Sequence, residues 1–124
     1  MRSAALMAAL AFTGGLAVAA APARADFGAI AYDQASGRYG FSWNEGTPQR
    51  AGELAKKDCG GDSCRVIPVA PRLCGALATA EKKESNAWGV SIRPDKGDAQ
   101  ARAIADCQKH TEGQCKVRGS ECNR

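Results

Sequence analysis

Histidine occurs once in these 124 residues, at position 110, and aromatic side chains make up only 6% of them. A lone histidine excludes sites built on two or three imidazoles, among them the common catalytic zinc centres. No Cys-x-x-Cys occurs, so the thiol–disulfide oxidoreductase motif is missing. A Gly-x-Ser-x-Gly elbow, a phosphate-binding loop, a dinucleotide fingerprint and a calcium loop are missing too. Large apolar side chains are scarce and alanine is plentiful, which leaves little from which to build a core.

Long apolar runs are also lacking, with one exception. Ala4 to Ala21 carries no charge; it follows Arg2 and precedes Ala23-Arg24-Ala25, a small-x-small cleavage pattern. At about 18 residues, and rich in alanine, it is a poor membrane span. Residues 1–25 therefore read as a secretion signal cut before Asp26, which makes the mature chain, 26–124, secreted or periplasmic, with no stable membrane insertion. Removing Arg2 and Arg24 leaves 15 basic against 13 acidic residues, so the formal charge falls from +4 to +2. That balance, spread along the chain, gives no basic face for nucleic acid.

What the mature chain does have is an internal repeat. Phe27-Gly28-Ala29-Ile30-Ala31 returns 47 residues later as Cys74-Gly75-Ala76-Leu77-Ala78. Tyr39-Gly40-Phe41-Ser42-Trp43 returns 49 residues later as Trp88-Gly89-Val90-Ser91-Ile92. Cys59, Cys64 and Cys74 return as Cys107, Cys115 and Cys122, offset by 48, 51 and 48. Two copies of one unit with loops of unequal length produce this pattern.

Large residues alternate with Gly and Ser at 39–43 and 88–92, the period of half-buried strands. Weaker strand patterns precede them at 27–32 and 75–80. Thr47 and Pro48 open a helix whose apolar stripe is Ala51, Leu54, Ala55 and Cys59, with Lys56, Lys57 and Asp58 mostly outward. Asp98 is a cap for the second helix, with Ala99, Ala103, Ile104 and Cys107 inside. Short strands follow at 65–69 and 114–118; Pro68 confines the first to a sheet edge. The expected fold is α+β. Two tandem strand–strand–helix–strand repeats, about 27–74 and 74–122, form one disulfide-stapled domain with an antiparallel sheet and two short helices.

Six cysteines in an oxidising compartment, spaced unlike a zinc site, read as three disulfides. Equivalence of the copies selects Cys59–Cys64 and Cys107–Cys115, each between a helix end and a strand start. Cys74 and Cys122 remain, and their bridge is expected to join the two copies.

The Gly-Ala-Ile-Ala-Tyr opening at 28–32, Gly-Arg-Tyr-Gly-Phe-Ser-Trp at 37–43, the helix ending at Cys59, Cys-Arg-Val at 64–66 and Cys-Gly-Ala-Leu-Ala at 74–78 resemble the bacterial family called domain of unknown function 4189. The likeness runs over about 27–122. It implies a small exported bacterial protein with paired cysteines, and it brings no catalytic residues with it.

No catalytic residue, cofactor or metal ligand is assigned. His110 sits near the end of the second helix, where a polar or cationic residue suits the dipole. Ser42 and Ser91 lie on strands, and Glu81 and Glu84 flank Lys82-Lys83 in a solvated loop. Trp43 and Trp88 suit core packing or, as the sharper alternative, an aromatic shelf for a ligand. The expected function is a non-catalytic binding or interaction module whose partner is an unknown protein or envelope component. The alternative is a small envelope hydrolase working through acidic residues.

Overall fold

The computed structural model describes residues 14, 15 and 25–124. The proposed signal therefore lies almost wholly outside the described residues. The elements run β1 (Phe27–Tyr32), β2 (Tyr39–Glu45), α1 (Pro48–Cys59), β3 (Arg65–Val69), β4 (Cys74–Ala80), β5 (Trp88–Arg93), α2 (Lys96–Gln108) and β6 (Cys115–Cys122). The strands divide into two three-stranded antiparallel sheets, ordered β2-β1-β3 and β5-β4-β6. Each unit is strand–strand–helix–strand, with its first strand in the centre.

Side-chain size decides what each sheet face meets. Ala29 and Ala31 of β1 pack with Ala51, Ala55 and Cys59 of α1. Ala76, Ala78 and Ala80 of β4 pack in the same way with Ala99, Ala103 and Cys107 of α2. Gly40 on β2 lies so close to α1 that an added Cβ would strike the Ala55 carbonyl and the Cys59 nitrogen; Gly89 on β5 meets Ala103 and Cys107 identically. The small faces thus exist to admit a helix backbone.

The opposite faces carry the large residues, and there the two sheets meet. Ile30, Tyr32 and Val69 of the first sheet share one cluster with Leu77 of the second, flanked by Phe41, Trp43, Trp88, Val90 and Ile92. Ile30, Leu77 and Val69 are the bulkiest wholly buried side chains outside the cysteines. Each contributes about 1.5–3 kcal/mol by leaving water. The layers run helix, sheet, sheet, helix.

Three disulfides join Cys59–Cys64, Cys107–Cys115 and Cys74–Cys122. The first and last helix ends are thereby tied to the strands that follow. Cys74 and Cys122 face each other across β4 and β6. Their bridge staples the second sheet to itself and does not join the two units, contrary to the expectation from the sequence, because both cysteines lie on strands of the second unit.

Two boundaries also differ from the sequence reading. The cap of α2 is Asp95, whose carboxylate accepts from the Asp98 nitrogen at 2.9 Å, so Asp98 sits in the first turn. The repeat carried this signal: Asp95 stands 48 residues after Thr47, the same offset as Ala99 from Ala51 and Cys107 from Cys59. Strand β6 runs on to Cys122, because β4 offers pairing partners along its whole length and a bulge at Arg118 restores the register. Among the described residues, no helix is long and apolar enough to cross a membrane.

Candidate functional site

Where β1 turns into β2 and β4 turns into β5, the two sheets open into a polar cleft of about 530 Å³. Both connecting loops line it, so it lies where corresponding parts of the two units face each other. The loops are built differently. In the 33–38 turn, Asp33 accepts from the Ala35 nitrogen at 3.1 Å, Ser36 Oγ at 2.8 Å and Ser63 Oγ at 3.1 Å. Arg38 lies 3.7 Å from the same carboxylate. These bonds, the Ser36 hydroxyl first, hold the Asp33 carboxyl below its ordinary range. Gly37 closes the turn at φ 76°, a conformation that suits glycine. The longer 81–87 loop is tied at its ends, Glu81 N–H to the Gln114 carbonyl and Ala80 N–H to the Ala87 carbonyl. Between those ties Lys82 and Lys83 are exposed at the rim.

Two side chains reach the cleft from within the fold. Tyr32, only 4% exposed, ends β1 with its ring 5.1 Å from that of Trp88. Its hydroxyl makes no hydrogen bond among the described residues, yet the residue lines the cleft. Burial, then the neighbouring Asp33 carboxylate, raises the phenol above its ordinary range, while Arg118 pulls the other way. The phenol is therefore protonated and a donor at neutral pH.

Arg118 is the extra residue of the β6 bulge: Val117 pairs with Ala78 and Gly119 with Leu77. A bulge re-aims a side chain, and here Arg118 turns toward the cleft. Its Nε donates to Thr79 Oγ1 at 2.7 Å and its Nη2 to the Ala80 carbonyl at 3.3 Å. Both bonds fix the guanidinium and neither supplies a counter-charge. Among the described residues no carboxylate forms an ion pair with it. Glu81 is the one carboxylate that lines this cleft among the described residues.

The residues singled out from sequence lie elsewhere or take other roles. His110 is exposed, past the end of α2, and lines a separate recess of about 260 Å³ with Asp106 and Trp88. Ser42 donates to the Ala51 carbonyl of α1, and Ser91 is buried against α2. Glu84 is exposed in its loop. Trp43 stacks on Phe41 between the sheets at 6.3 Å. Trp88 packs on Tyr32, so it supports the cleft from behind. Among the described residues no three His, Cys, Asp or Glu side chains gather as a metal site would require.

Sequence reasoning missed Tyr32 and Arg118, and it also missed a paired structural role. Asp58 accepts from the Phe41 nitrogen at 3.0 Å, and Asp106 from the Val90 nitrogen at 3.4 Å. Each helix thus covers an N–H on the edge strand of its own sheet, which blunts that edge. The signal was the Asp-Cys dipeptide at 58–59, repeated at 106–107.

These features define a disulfide-stapled α+β protein of two similar units that meet sheet to sheet and leave a cleft at one end. The chain belongs to the family described as domain of unknown function (DUF4189), whose model matches residues 27–122. It is similar to the protein Rv1813c of Mycobacterium tuberculosis (strain ATCC 25618 / H37Rv) and to Mb1843c of Mycobacterium bovis (strain ATCC BAA-935 / AF2122/97). Each is 38% identical over 76 residues, 61% of this chain and 52% of the relative. The chain thus spans about half the length of these curated relatives, both described as uncharacterized. The NMR structure of Rv1813c shares the fold, with a TM-score of 0.60 at 23% identity over 99% of this chain and 96% of that one.

Proposed function

We propose that this protein is an exported, non-catalytic binding module and that the cleft between the 33–38 and 81–87 loops is its binding site. The observation that carries the reading is the pair of buried or half-buried donors, Tyr32 and Arg118, aimed into open space. Tyr32 is buried through its ring, while the residue's free hydroxyl opens onto the cleft, where a ligand can reach it. A phenol with no partner and a guanidinium with no counter-ion are groups a ligand would complete. Disulfides in all three cysteine pairs support a chain that folds in an oxidising compartment after cleavage before Asp26. A hydrolase of the glycosidase type would place two carboxyls across the cleft; this cleft is lined by Glu81 and by basic and hydroxyl side chains.

The test combines capture and turnover. Oxidised protein is used to retain components of envelope and culture fractions, beside a broad hydrolase screen. A retained component that is released when Tyr32 or Arg118 is replaced, with no turnover, supports the module. Turnover that disappears when one Asp or Glu is replaced in a folded protein overturns it.

A further inference from the structure

The charged donors in the cleft have a common sign. Arg118 is positive, and the Tyr32 hydroxyl is positioned as a neutral donor. Lys82 and Lys83 add two ammonium groups at the rim. Opposing them are the Glu81 carboxylate, exposed to solvent at the start of the same loop, and the Asp33 carboxylate next to Tyr32, which is already engaged by the Ala35 nitrogen, Ser36, Ser63 and Arg38. The surrounding groups are not apolar. Ser36, Ser85, Asn86 and Gln34 offer hydroxyl and amide partners, and Tyr39 presents a ring that is 38% exposed.

We infer that the cleft takes a small polar ligand through an anionic oxygen group, a carboxylate or a phosphate, seated on Arg118 with the Tyr32 hydroxyl donating beside it. Arg118 is suited to this because its Nε and one terminal nitrogen are already held by Thr79 and Ala80. The guanidinium is thus pre-oriented, and its remaining donors need little ordering on binding. Charge-assisted bonds of this kind are about twice as strong as neutral ones. Lys82 and Lys83, exposed on a loop, attract the anion without fixing its geometry. The serines, amides and exposed ring around them fit a hydroxyl-rich body better than an aliphatic one. This inference rests on the binding-module reading and adds the class of ligand.

Three probes share one body and differ in one substituent: glucuronate, glucose 6-phosphate and glucose. Each is titrated into the oxidised, isotope-labelled protein at low salt while amide and Arg Nε resonances are followed. Saturable shifts from at least one anion, centred on Tyr32, Arg118 and the 33–38 and 81–87 loops, are expected, with glucose at least about tenfold weaker. Which anion binds tighter distinguishes carboxylate from phosphate. Tyr32→Phe keeps the ring against Trp88 and removes only the unbonded hydroxyl; it should weaken the anion several-fold with the spectrum elsewhere unchanged. Arg118→Gln should weaken it about tenfold or more. Since Arg118 also bonds Thr79 and Ala80, the exposed pair Lys82→Gln and Lys83→Gln provides a variant with no structural role to lose, expected to reduce both affinity and its salt dependence. No saturable shift from either anion, or glucose binding as tightly with Tyr32→Phe and Arg118→Gln silent, overturns the inference. The second result leaves the binding module standing. Chemical conversion of a probe during the titration would instead defeat the module reading itself.

Discussion

At the end of the molecule away from the cleft, the second unit is closed by a disulfide and the first by an asparagine. Gly28 pairs with Val69 in the first sheet as Gly75 pairs with Glu121 in the second. One step further along, Phe27 and Ala70 stand where Cys74 and Cys122 are bridged. What holds the first unit there is Asn123, contributed by the second. Its amide donates to the carbonyls of Val69 and Ala70 at 2.9 and 3.1 Å, and its oxygen accepts from the Asn44 nitrogen at 3.1 Å. Asn123 is buried and follows Cys122 directly. The bridge therefore does not cross between units, but it anchors the residue that does.

A second inequality runs between the sheets. The first unit supplies Phe27, Tyr32, Tyr39, Phe41 and Trp43, the second only Trp88. Ile67 of β3 corresponds to Gly119 of β6, since they pair with Ile30 and Leu77 respectively. The Phe41 ring lies against Gly119, where even a Cβ would strike it. The units share a backbone plan but have exchanged bulk, and a bulge beside the small residue has freed Arg118. Tyr32 comes from the aromatic-rich unit and Arg118 from the other, so the cleft requires both.

The largest effect should come from the bridge that makes the units unequal. Replacing Cys74 and Cys122 together by Ser removes a ring of 49 residues, and by the loop-entropy model costs about 4 kcal/mol. Replacing Cys59 and Cys64 opens a much shorter ring and should cost about 2 kcal/mol. Urea unfolding of the two variants checks the order. Asn123→Ala should combine non-additively with loss of the Cys74–Cys122 bridge, by about 0.5 kcal/mol or more, since contacting elements couple. Equal costs for the two bridges, or strict additivity with Asn123, would break the claim that this bridge serves both units. Peptide mapping without reduction reads the pairing directly.

Next come the glycines, where the units should behave alike. Gly40→Ala and Gly89→Ala each force a methyl into helix backbone that cannot yield without moving the whole helix. Overpacking of that kind costs about 3 kcal/mol, and both variants should show it in thermal and urea unfolding. A mild effect in one unit alone would mean that its helix sits looser than its counterpart. This part of the fold was legible in advance. The alternation of Gly40 and Ser42 with Tyr39, Phe41 and Trp43, and its return at 88–92, marks two strands with a small face, and the Ala stripes of 51–59 and 99–107 mark what covers it. The division into two sheets was not legible, because similar strands are chemically interchangeable as pairing partners. The cleft was illegible for another reason. Tyr32 ends a strand like any core residue, and Arg118 reaches the site only through a one-residue bulge, which leaves no periodic trace.

The smallest predicted effect is the most discriminating, because it concerns one atom. Ser42 and Ser91 occupy the same place on β2 and β5, facing the same turn of their helices. Ser42 Oγ donates to the Ala51 carbonyl, whereas Ser91 Oγ is buried with no hydrogen-bond partner among the described residues. Ser42→Ala removes a made bond and should cost about 1 kcal/mol. Ser91→Ala removes a hydroxyl whose desolvation is uncompensated, so it should be neutral or stabilise by up to about 1 kcal/mol. Neither change alters volume enough to open a cavity, and the m-value should stay constant in both. Urea midpoints moving in opposite directions, or Ser91→Ala leaving the midpoint in place, would uphold the inequality. Equal losses in the two variants would instead show that Ser91 finds the Ala99 carbonyl in solution, the counterpart of Ala51, and that the second helix settles onto its sheet as the first does.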